Sequence, residues 1–198
     1  MLYDQSVSGF GVTLRCAGES DAPFMYALRT APHVIGRIGD PPPSVAAQAA
    51  WIRKVQASSD DSCFIIELEG CGPVGTISLT RLSDTAAEPG RWVLRPGTTA
   101  AAASCLLIYG VAFERLGFEK IRMSVSTRNT RVLSFHRRYG ARETNIDRQS
   151  RVFNGVVQDM LWFEVTREEW PRIRAFLEKQ AALAQQVARR LSKAGGAG

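Results

Sequence analysis

The chain has 198 residues, a net charge of +6 and a hydrophobic content of 45%, and these values already restrict its fold. The length suits one compact domain with a sizeable core and is too short for two full domains. The apolar content is that of a globular protein and excludes a chain that is disordered throughout. The longest apolar run, residues 100–113, is shorter than the roughly 20 residues of a membrane-spanning helix.

Cysteines and histidines are few and scattered. The four cysteines lack CxxC spacing, and only two histidines are present. We therefore expect no metal site and no disulfide scaffold. The first residues contain no basic segment followed by an apolar stretch, so we expect no signal peptide and a cytoplasmic protein.

The positive charge lies in the second half of the chain. Residues 119–151 contain nine basic and three acidic side chains, and the segment from residue 167 onward adds seven basic and three acidic ones. A basic block favours an anionic partner such as nucleic acid, a phosphorylated cofactor or a membrane surface, and a solvated arginine-rich face is the alternative. No helix-turn-helix, zinc module or aromatic-interleaved sheet accompanies it, so we do not expect a nucleic-acid partner.

Hydrophobic periodicity and turn residues predict a single mixed α/β domain at residues 1–166, with the order β-α-α-β-β-β-α-β-α-β-β. The predicted strands are 11–16, 63–69, 74–82, 91–95, 120–126, 142–149 and 156–165. The predicted helices are one through residues 26 and 28, one at 45–56, one that opens at 96–99 and ends at 117, and one at 130–139.

The segment 167–193 has one apolar seam at a/d spacing, which predicts an amphipathic C-terminal helix. Thr166 and Glu169 have the spacing of a capping box, and Pro171 suits the first turn. The seam packs either against the domain or against a second copy in a homodimer, and residues 194–198 are predicted to be a disordered tail. The seam consists of Trp170, Ile173, Leu177, Gln180, Ala184, Val187 and Leu191.

Two segments carry candidate chemistry. At residues 91–107 a strand leads through small residues into a helix start, where free N–H groups favour a phosphate; an N-cap at Thr98 or Thr99 is the simpler explanation. In the helix at 130–139, the side chains that share the face toward the sheet include His136 and Tyr139, and both can donate a proton. A core histidine bonded to a backbone carbonyl is the structural alternative.

These segments resemble the GNAT superfamily of acyl-CoA-dependent N-acetyltransferases over about residues 11–165. The family pattern Asn-x-x-Ala-x-x-Leu-Tyr-x-Lys-x-Gly-Phe is matched by Asn129, Val132, Phe135, His136, Arg138, Gly140 and Ala141. The phosphate-loop pattern Gln/Arg-x-x-Gly-x-Gly/Ala is matched by Arg95, Thr98 and Ala100, with threonine at the first glycine. Residues 28–34 and 48–51 are similar to a subgroup rich in ribosomal-protein and amino-sugar-nucleotide acetyltransferases.

The resemblance implies the single mixed-sheet GNAT fold, acetyl-CoA as cosubstrate and no metal. The cofactor would lie between two splayed parallel strands, 92–95 and 121–126, with backbone groups on its pantetheine arm and pyrophosphate. The implied cofactor-binding residues are Val93, Leu94, Arg95, Gly97, Thr98, Thr99, Ala100, Ala101, Ala102, Asn129, Arg131 and Arg137.

The resemblance also implies direct transfer of the acetyl group to a primary amine. His136 replaces the family's usual tyrosine acid, an imidazole of pKa about 6.5 can serve there, and Tyr139 is the reserve acid. Glu88 is the candidate base, with a plain surface glutamate or a water relay as alternatives.

The preferred acceptor is a nucleotide-linked amino sugar, bound near Arg29, His33 and Trp51. The alternatives are the amino terminus of a protein or peptide, and an inactive CoA-binding protein of this fold.

Overall fold

The computed structural model describes residues 1–195, with side chains described up to residue 190. Eight strands form one sheet in the order β1-β2-β3-β4-β5-β6-β8-β7. The strands are β1 Val7–Gly9, β2 Val12–Cys16, β3 Asp61–Leu68, β4 Gly72–Arg81, β5 Ala86–Leu94, β6 Lys120–Ser126, β7 Arg142–Phe153 and β8 Val156–Thr166. The seven predicted strands are present. The sequence did not predict β1, because three residues are too few to show an alternation.

The helices occur where the sequence places them, with one change of boundary. They are α1 Ala22–Arg29, α2 Val45–Gln56, α3 Ala101–Gly110, α4 Thr130–Tyr139 and α5 Trp170–Gly195, with a 3₁₀ turn Glu19–Asp21 before α1. The helix expected to open at 96–99 begins later, because Gly97 has a φ of 79° and takes the chain out of helical geometry. A π-helical segment, Val111–Arg115, continues α3 toward Gly117.

The sheet carries a separate hydrophobic layer on each face. Along β3, Phe64 and Ile66 pack into the main core with α3, α4 and α5, whereas Cys63 and Ile65 pack with α1 and α2 on the other face. This alternation is the period-two pattern of a strand that is buried on both sides. The sheet is therefore the middle layer of the molecule, and anything that opens it connects the two helical layers.

One pair of strands does open. β5 and β6 are the parallel pair, and they are hydrogen-bonded only at Ala86 with Lys120 and at Ala87 with Ile121. The resemblance implied two splayed parallel strands, and the structure confirms them. On its other side β5 stays paired with β4, with a bulge at which Arg91 has a φ of 48°.

The bulge is held by hydroxyl groups of β4. Thr76 donates a hydrogen bond of 3.1 Å to the carbonyl of Arg91, and Ser78 donates one of 2.9 Å to the carbonyl of Gly90. Gly75 is required beside it, since a Cβ there would collide with the Val93 carbonyl oxygen. β5 therefore bends at a fixed point, directly before the loop that leads into α3.

The capping box at the start of α5 is confirmed. The Thr166 N–H donates to Glu169 Oε2 at 2.8 Å, and the Glu169 N–H donates to Thr166 Oγ1 at 3.4 Å. These reciprocal bonds fix the angle at which α5 leaves β8.

The apolar seam of α5 packs against the chain's own domain, so the first of the two packing alternatives holds. Its members in the first two turns, Trp170, Ile173 and Leu177, are buried, but Val187 is 48% exposed. The buried stripe passes through Ala181 instead, because a straight helix repeats every 3.6 residues and drifts from a/d spacing. Leu191 lies outside the described side chains. Two residues of the predicted tail, 194 and 195, are helical, and 196–198 lie outside the described residues.

Two leucines of α5 test this packing. We expect Leu177→Ala to lower the free energy of unfolding by about 2 to 5 kcal/mol, because it leaves a cavity in the main core. Leu183→Ala removes the same atoms from a side chain that is 48% exposed. It should change the free energy of unfolding by less than about 0.5 kcal/mol. Urea denaturation of both variants measures the difference, and equal losses would contradict the packing described here.

Candidate active site

A cavity of about 710 Å³ lies where β5 and β6 have separated. Glu88 to Trp92 of β5 and Met123 to Ser126 of β6 line it, and all of these residues follow the last hydrogen-bonded pair of the two strands. The walls are completed by residues of the four helices α1 to α4, of β3 and β4, of the loop 37–43 and of the β7–β8 hairpin. The cavity therefore joins the two helical layers through the sheet.

Glu88 bridges the two separated strands. It lines the cavity, and Ser124 of β6 donates a hydrogen bond to its Oε1 at 3.2 Å. Pro89 follows it without breaking β5, which remains paired with β4 at Leu79. Because β6 has already diverged, the missing N–H of Pro89 removes no bond to that strand. A carboxylate is thus held in the opening of the sheet.

α4 places His136 on the cavity wall. The side chain is 5% exposed and lines the cavity together with Val132 and Asn129. Its Nδ1 lies 2.5 Å from the hydroxyl of Tyr139. Tyr139 is buried behind it and is not part of the lining.

Burial sets the protonation states in this region. It lowers the pKa of His136 to about 4, so the imidazole is neutral near pH 7. The pKa of about 6.5 that we expected from the sequence is therefore wrong. Burial also raises the pKa of Cys63 and of Cys105 to about 12. Both cysteines line the cavity as protonated thiols and are poor nucleophiles.

The opposite wall is basic and aromatic. Arg91 is held by both carboxylate oxygens of Asp61, at 2.6 and 2.7 Å, and its guanidinium lies 5.1 Å from the Trp51 ring centroid. Trp51 and Arg29 also line the cavity, as the sequence led us to expect. His33 does not belong to the lining. Its Nε2 is instead buried without a hydrogen-bond partner among the described residues.

Arg29 carries a charge that no described carboxylate neutralises by direct contact. Its Nη2 donates to the carbonyls of Gly39 and Asp40, and its buried Nε has no partner among the described residues. Burial and, second, the charge of Arg91 lower its pKa, although a guanidinium remains protonated in proteins. The charge of Asp40 acts on Arg29 in the opposite direction, but it makes no salt bridge to the guanidinium, so a bound anion would add a direct contact.

The loop between β5 and α3 presents small residues and a helix start. Neither threonine is the N-cap, because Ala100 takes that position and Thr98 Oγ1 accepts the Ala100 N–H at 3.3 Å. The first N–H groups of α3 have no acceptor within the helix. Gly97 has open space around it, so a ligand can approach the backbone here.

The expected cofactor residues are distributed over several surfaces. Asn129 lines the cavity, whereas Val93, which follows the lining residue Trp92 along β5, does not. Arg95 is exposed, with its guanidinium 5.0 Å from the Phe24 ring centroid. Exposed Arg137 pairs with Glu143 at 2.5 Å. The expected residues outside the lining are Val93, Leu94, Arg95, Gly97, Thr98, Thr99, Ala100, Ala101, Ala102, Arg131 and Arg137.

Several lining residues were missed by the sequence reading. Arg91 and Ser124 became visible as site residues only once the register of β5 against its neighbours was known. Tyr109 lies in the lining where α3 meets α4, a contact between two helices that the sequence pattern does not predict. Over residues 1–195, no cluster of three His, Cys, Asp or Glu side chains could hold a metal ion, and no helix is long and apolar enough to span a membrane.

The model of the acetyltransferase (GNAT) domain matches residues 12–142. The chain belongs to the GNAT acetyltransferase family. It is therefore an acyltransferase with N-acetyltransferase activity, and its eight-stranded mixed sheet is the GNAT fold. A search of curated proteins finds no match.

Solved structures share this fold. A GCN5-related N-acetyltransferase from Brucella melitensis has 22% identity and a TM-score of 0.78, with 91% of this chain and 86% of that chain covered. FdhC, a nucleotide-linked sugar GNAT, has 24% identity and a TM-score of 0.70, with 85% and 94% covered. The spermidine N-acetyltransferase from Vibrio cholerae, in complex with CoA and spermine, has 18% identity and a TM-score of 0.75, with 82% and 99% covered.

The buried imidazole gives the GNAT domain a pH-dependent stability. Its pKa is about 4 when folded and about 6.5 when unfolded, so between these values only the unfolded chain binds the proton and stability falls as pH falls. From pH 7.5 to 4.5 we expect His136 to account for a loss of about 2 to 3 kcal/mol. The free energy of unfolding of His136→Phe should fall less than that of wild type over the same pH interval, by about this amount.

Urea denaturation at the two pH values measures this loss. His33→Gln is the matched control, since it removes the other histidine, and it should keep the wild-type loss. The same pH dependence in wild type and His136→Phe would show that His136 is not the group responsible.

Proposed function

We propose that this enzyme transfers the acetyl group of acetyl-CoA directly to the primary amine of a nucleotide-linked amino sugar. The observation that carries the choice of acceptor is the half-buried Arg29 guanidinium, which lines the cavity without a salt bridge among the described residues. A phosphate is the anion that a guanidinium binds well.

The residues present fit acetyl-CoA as the donor. The opening between β5 and β6 leaves backbone groups of the two strands without strand partners, and these suit the amide groups of a pantetheine arm. The start of α3 offers N–H groups and small side chains to a pyrophosphate. Acetyl-CoA would supply the acetyl group in activated form, as a thioester. Arg95, Arg131 and Arg137 are the proposed contacts of its remaining phosphates.

The charge on the acceptor wall favours an anionic acceptor over a polyamine. Arg29, Arg37 and Arg151 line the cavity beside the paired Arg91, against the carboxylates of Asp40 and Glu88. Such a wall repels a polycation like the spermine bound to the Vibrio cholerae enzyme. It suits the diphosphate of an acceptor of the kind named for FdhC. Trp51, under the Arg91 guanidinium, offers an aromatic surface to a sugar or base.

Glu88 is the base in this proposal. It is a carboxylate in the opening of the sheet, held by the Ser124 hydroxyl, and it can receive a proton from the attacking amine. His136 faces the same cavity as a neutral imidazole. Protonating a group of pKa about 4 at pH 7 costs about 4 kcal/mol, so His136 is poorly suited to deliver a full proton there.

The acceptor is tested by a panel of amines with release of CoA thiol as the signal. We expect turnover with nucleotide-linked amino sugars, and inhibition by a nucleoside diphosphate but not by a free amino sugar. Turnover confined to peptide amino termini or to spermidine would overturn the proposed acceptor. If no amine of the panel leads to release of CoA thiol although acetyl-CoA still binds, the protein is an inactive CoA-binding protein.

Arg29 should determine acceptor affinity. We expect Arg29→Gln to raise KM for the nucleotide-linked acceptor by about 10-fold or more, because a charge-assisted hydrogen bond contributes about 1.5 to 3 kcal/mol. The KM for acetyl-CoA should stay near that of wild type. Arg53→Gln on α2 is the matched control, since Arg53 is exposed, pairs with Glu19 and lies outside the lining. An unchanged acceptor KM in Arg29→Gln would remove Arg29 from the acceptor site.

Glu88 should determine turnover. We expect Glu88→Gln to lower kcat by about 10²-fold to 10⁴-fold, since the amide keeps the shape of the side chain and cannot accept the proton. Ser124→Ala should have a smaller effect, because it removes only the hydrogen bond that holds the carboxylate. Steady-state kinetics with saturating substrates measure both variants. A wild-type kcat in Glu88→Gln would show that Glu88 is not the base, and a water relay would then carry the proton of the amine.

A further inference from the structure

Four buried side chains form a hydrogen-bonded chain at the cavity wall. His136 Nδ1 lies 2.5 Å from the hydroxyl of Tyr139, which lies 2.6 Å from the hydroxyl of Tyr109, which lies 2.6 Å from Sδ of Met123. Both tyrosines are almost completely buried. His136, Tyr109 and Met123 contribute to the cavity lining, and Tyr139 links His136 to Tyr109 from behind it.

The protons in this chain can be counted. Each tyrosine hydroxyl has one proton to donate, a neutral imidazole has one, and the thioether of Met123 can only accept. The Cys105 thiol lies beside the two hydroxyls and keeps its own proton, because burial raises its pKa to about 12. The hydrogen bonds can therefore run in one of two directions.

In one direction the chain ends on sulfur. Tyr109 donates to Met123, Tyr139 donates to Tyr109, and the imidazole donates through Nδ1 to Tyr139, so every proton has an acceptor. In the other direction Tyr109 donates to Tyr139 and Tyr139 donates to Nδ1. The imidazole proton then lies on Nε2, for which the described residues offer no hydrogen-bond acceptor.

Hydrogen-bond satisfaction selects between these directions. Sδ of Met123 has only lone pairs, so the Tyr109 hydroxyl at 2.6 Å from it has to donate, and the proton of Tyr109 is then not available to Tyr139. The direction that ends on Met123 leaves only a lone pair unpaired, on Nε2, and uses all three protons. Burial keeps the imidazole neutral, with a pKa of about 4, so a second ring proton does not change this count near pH 7.

We propose that Tyr109 and Tyr139 are positioning residues that hold His136 in the tautomer protonated at Nδ1, with the Nε2 lone pair available to the cavity. A lone pair accepts a hydrogen bond from an N–H group, so the ligand it suits is the amine of the acceptor. This inference rests on the proposed transfer to an amine, and it makes His136 an acceptor that orients the nucleophile. Tyr139, the reserve acid of the sequence analysis, then acts through His136.

The tautomer can be measured directly because the chain contains only two histidines. Uniform labelling of histidine with ¹⁵N and a long-range ¹H–¹⁵N correlation spectrum at pH 7 distinguish a protonated ring nitrogen from an unprotonated one. His33→Gln leaves a single set of signals, which assigns those of His136. We expect Nδ1 to be protonated and Nε2 to be bare in the wild-type protein. The opposite pattern would overturn the proposal, whether or not any variant folds.

Tyr109→Phe is the decisive variant, since Tyr109 has no hydrogen bond to His136. Without the Tyr109 hydroxyl, the nearest strong acceptor left for the Tyr139 proton is Nδ1, and the imidazole proton should move to Nε2. Tyr139→Phe should give the same tautomer by removing the acceptor of Nδ1–H. Tyr26→Phe is the matched control, because Tyr26 lies on α1 and takes no part in these hydrogen bonds. It should keep the wild-type tautomer of His136. An unchanged His136 tautomer in a folded Tyr109→Phe protein would overturn the positioning role.

Kinetics separate this inference from the proposed function. In Tyr109→Phe we expect kcat to fall by about 10-fold or more, because the nitrogen that faces the amine becomes a donor, while KM for acetyl-CoA stays near the wild-type value. A change of tautomer without a change in kcat would overturn the role of His136 toward the amine. The spectra need no substrate, so they remain decisive if the acceptor proves to be a different amine.

Discussion

The separation of β5 from β6 is the constraint on which the rest of this molecule depends. In a sheet that is buried on both faces, an interrupted hydrogen-bond ladder is costly unless the unpaired backbone groups find another partner. Here two pairs of residues join the strands and the remainder diverge. The β4–β5 bulge bends β5 at Arg91, with hydroxyls of β4 holding the bulged carbonyls. Contacts within the protein therefore fix the bend in β5.

The opening explains why the catalytic candidates come from separate layers. Glu88 belongs to the sheet, His136 to the layer of α3, α4 and α5, and Arg29 and Trp51 to the layer of α1 and α2. Through a closed sheet these side chains would face different cores and never share a cavity. Burial in the walls of the opening keeps His136 neutral and lowers the pKa of Arg29. Geometry and electrostatics of the site thus have one origin.

The sequence predicted the individual helices and strands well, and the tertiary contacts between them less well. α2, α4 and β6 have the predicted bounds, because each is delimited by a strong signal such as the Ser44 N-cap or the Gly140 stop. β1 and the late start of α3 escaped prediction, since a three-residue strand has no period and Gly97 ends helical geometry locally. Residues chosen by motif, such as Glu88 and His136, do line one cavity. Arg91 and Tyr109 could not be found this way, because their roles depend on strand register and on a contact between two helices.

Most of the basic residues in the second half of the chain lie outside the cavity. The basic block at residues 119–151 supplies only Arg151 to the cavity lining. Several of its arginines form salt bridges with neighbouring carboxylates, such as Arg142 with Glu164 and Arg148 with Asp159. In the proposed function the cation that matters most for the acceptor is Arg29, from the half of the chain whose net charge is negative. The total charge favours an anionic partner, but it does not indicate where that partner would bind. What distinguishes Arg29 is its buried, unpaired Nε and the lack of a salt bridge among the described residues. A guanidinium in a cavity wall that makes no salt bridge gains more from a bound anion than a paired one on the surface.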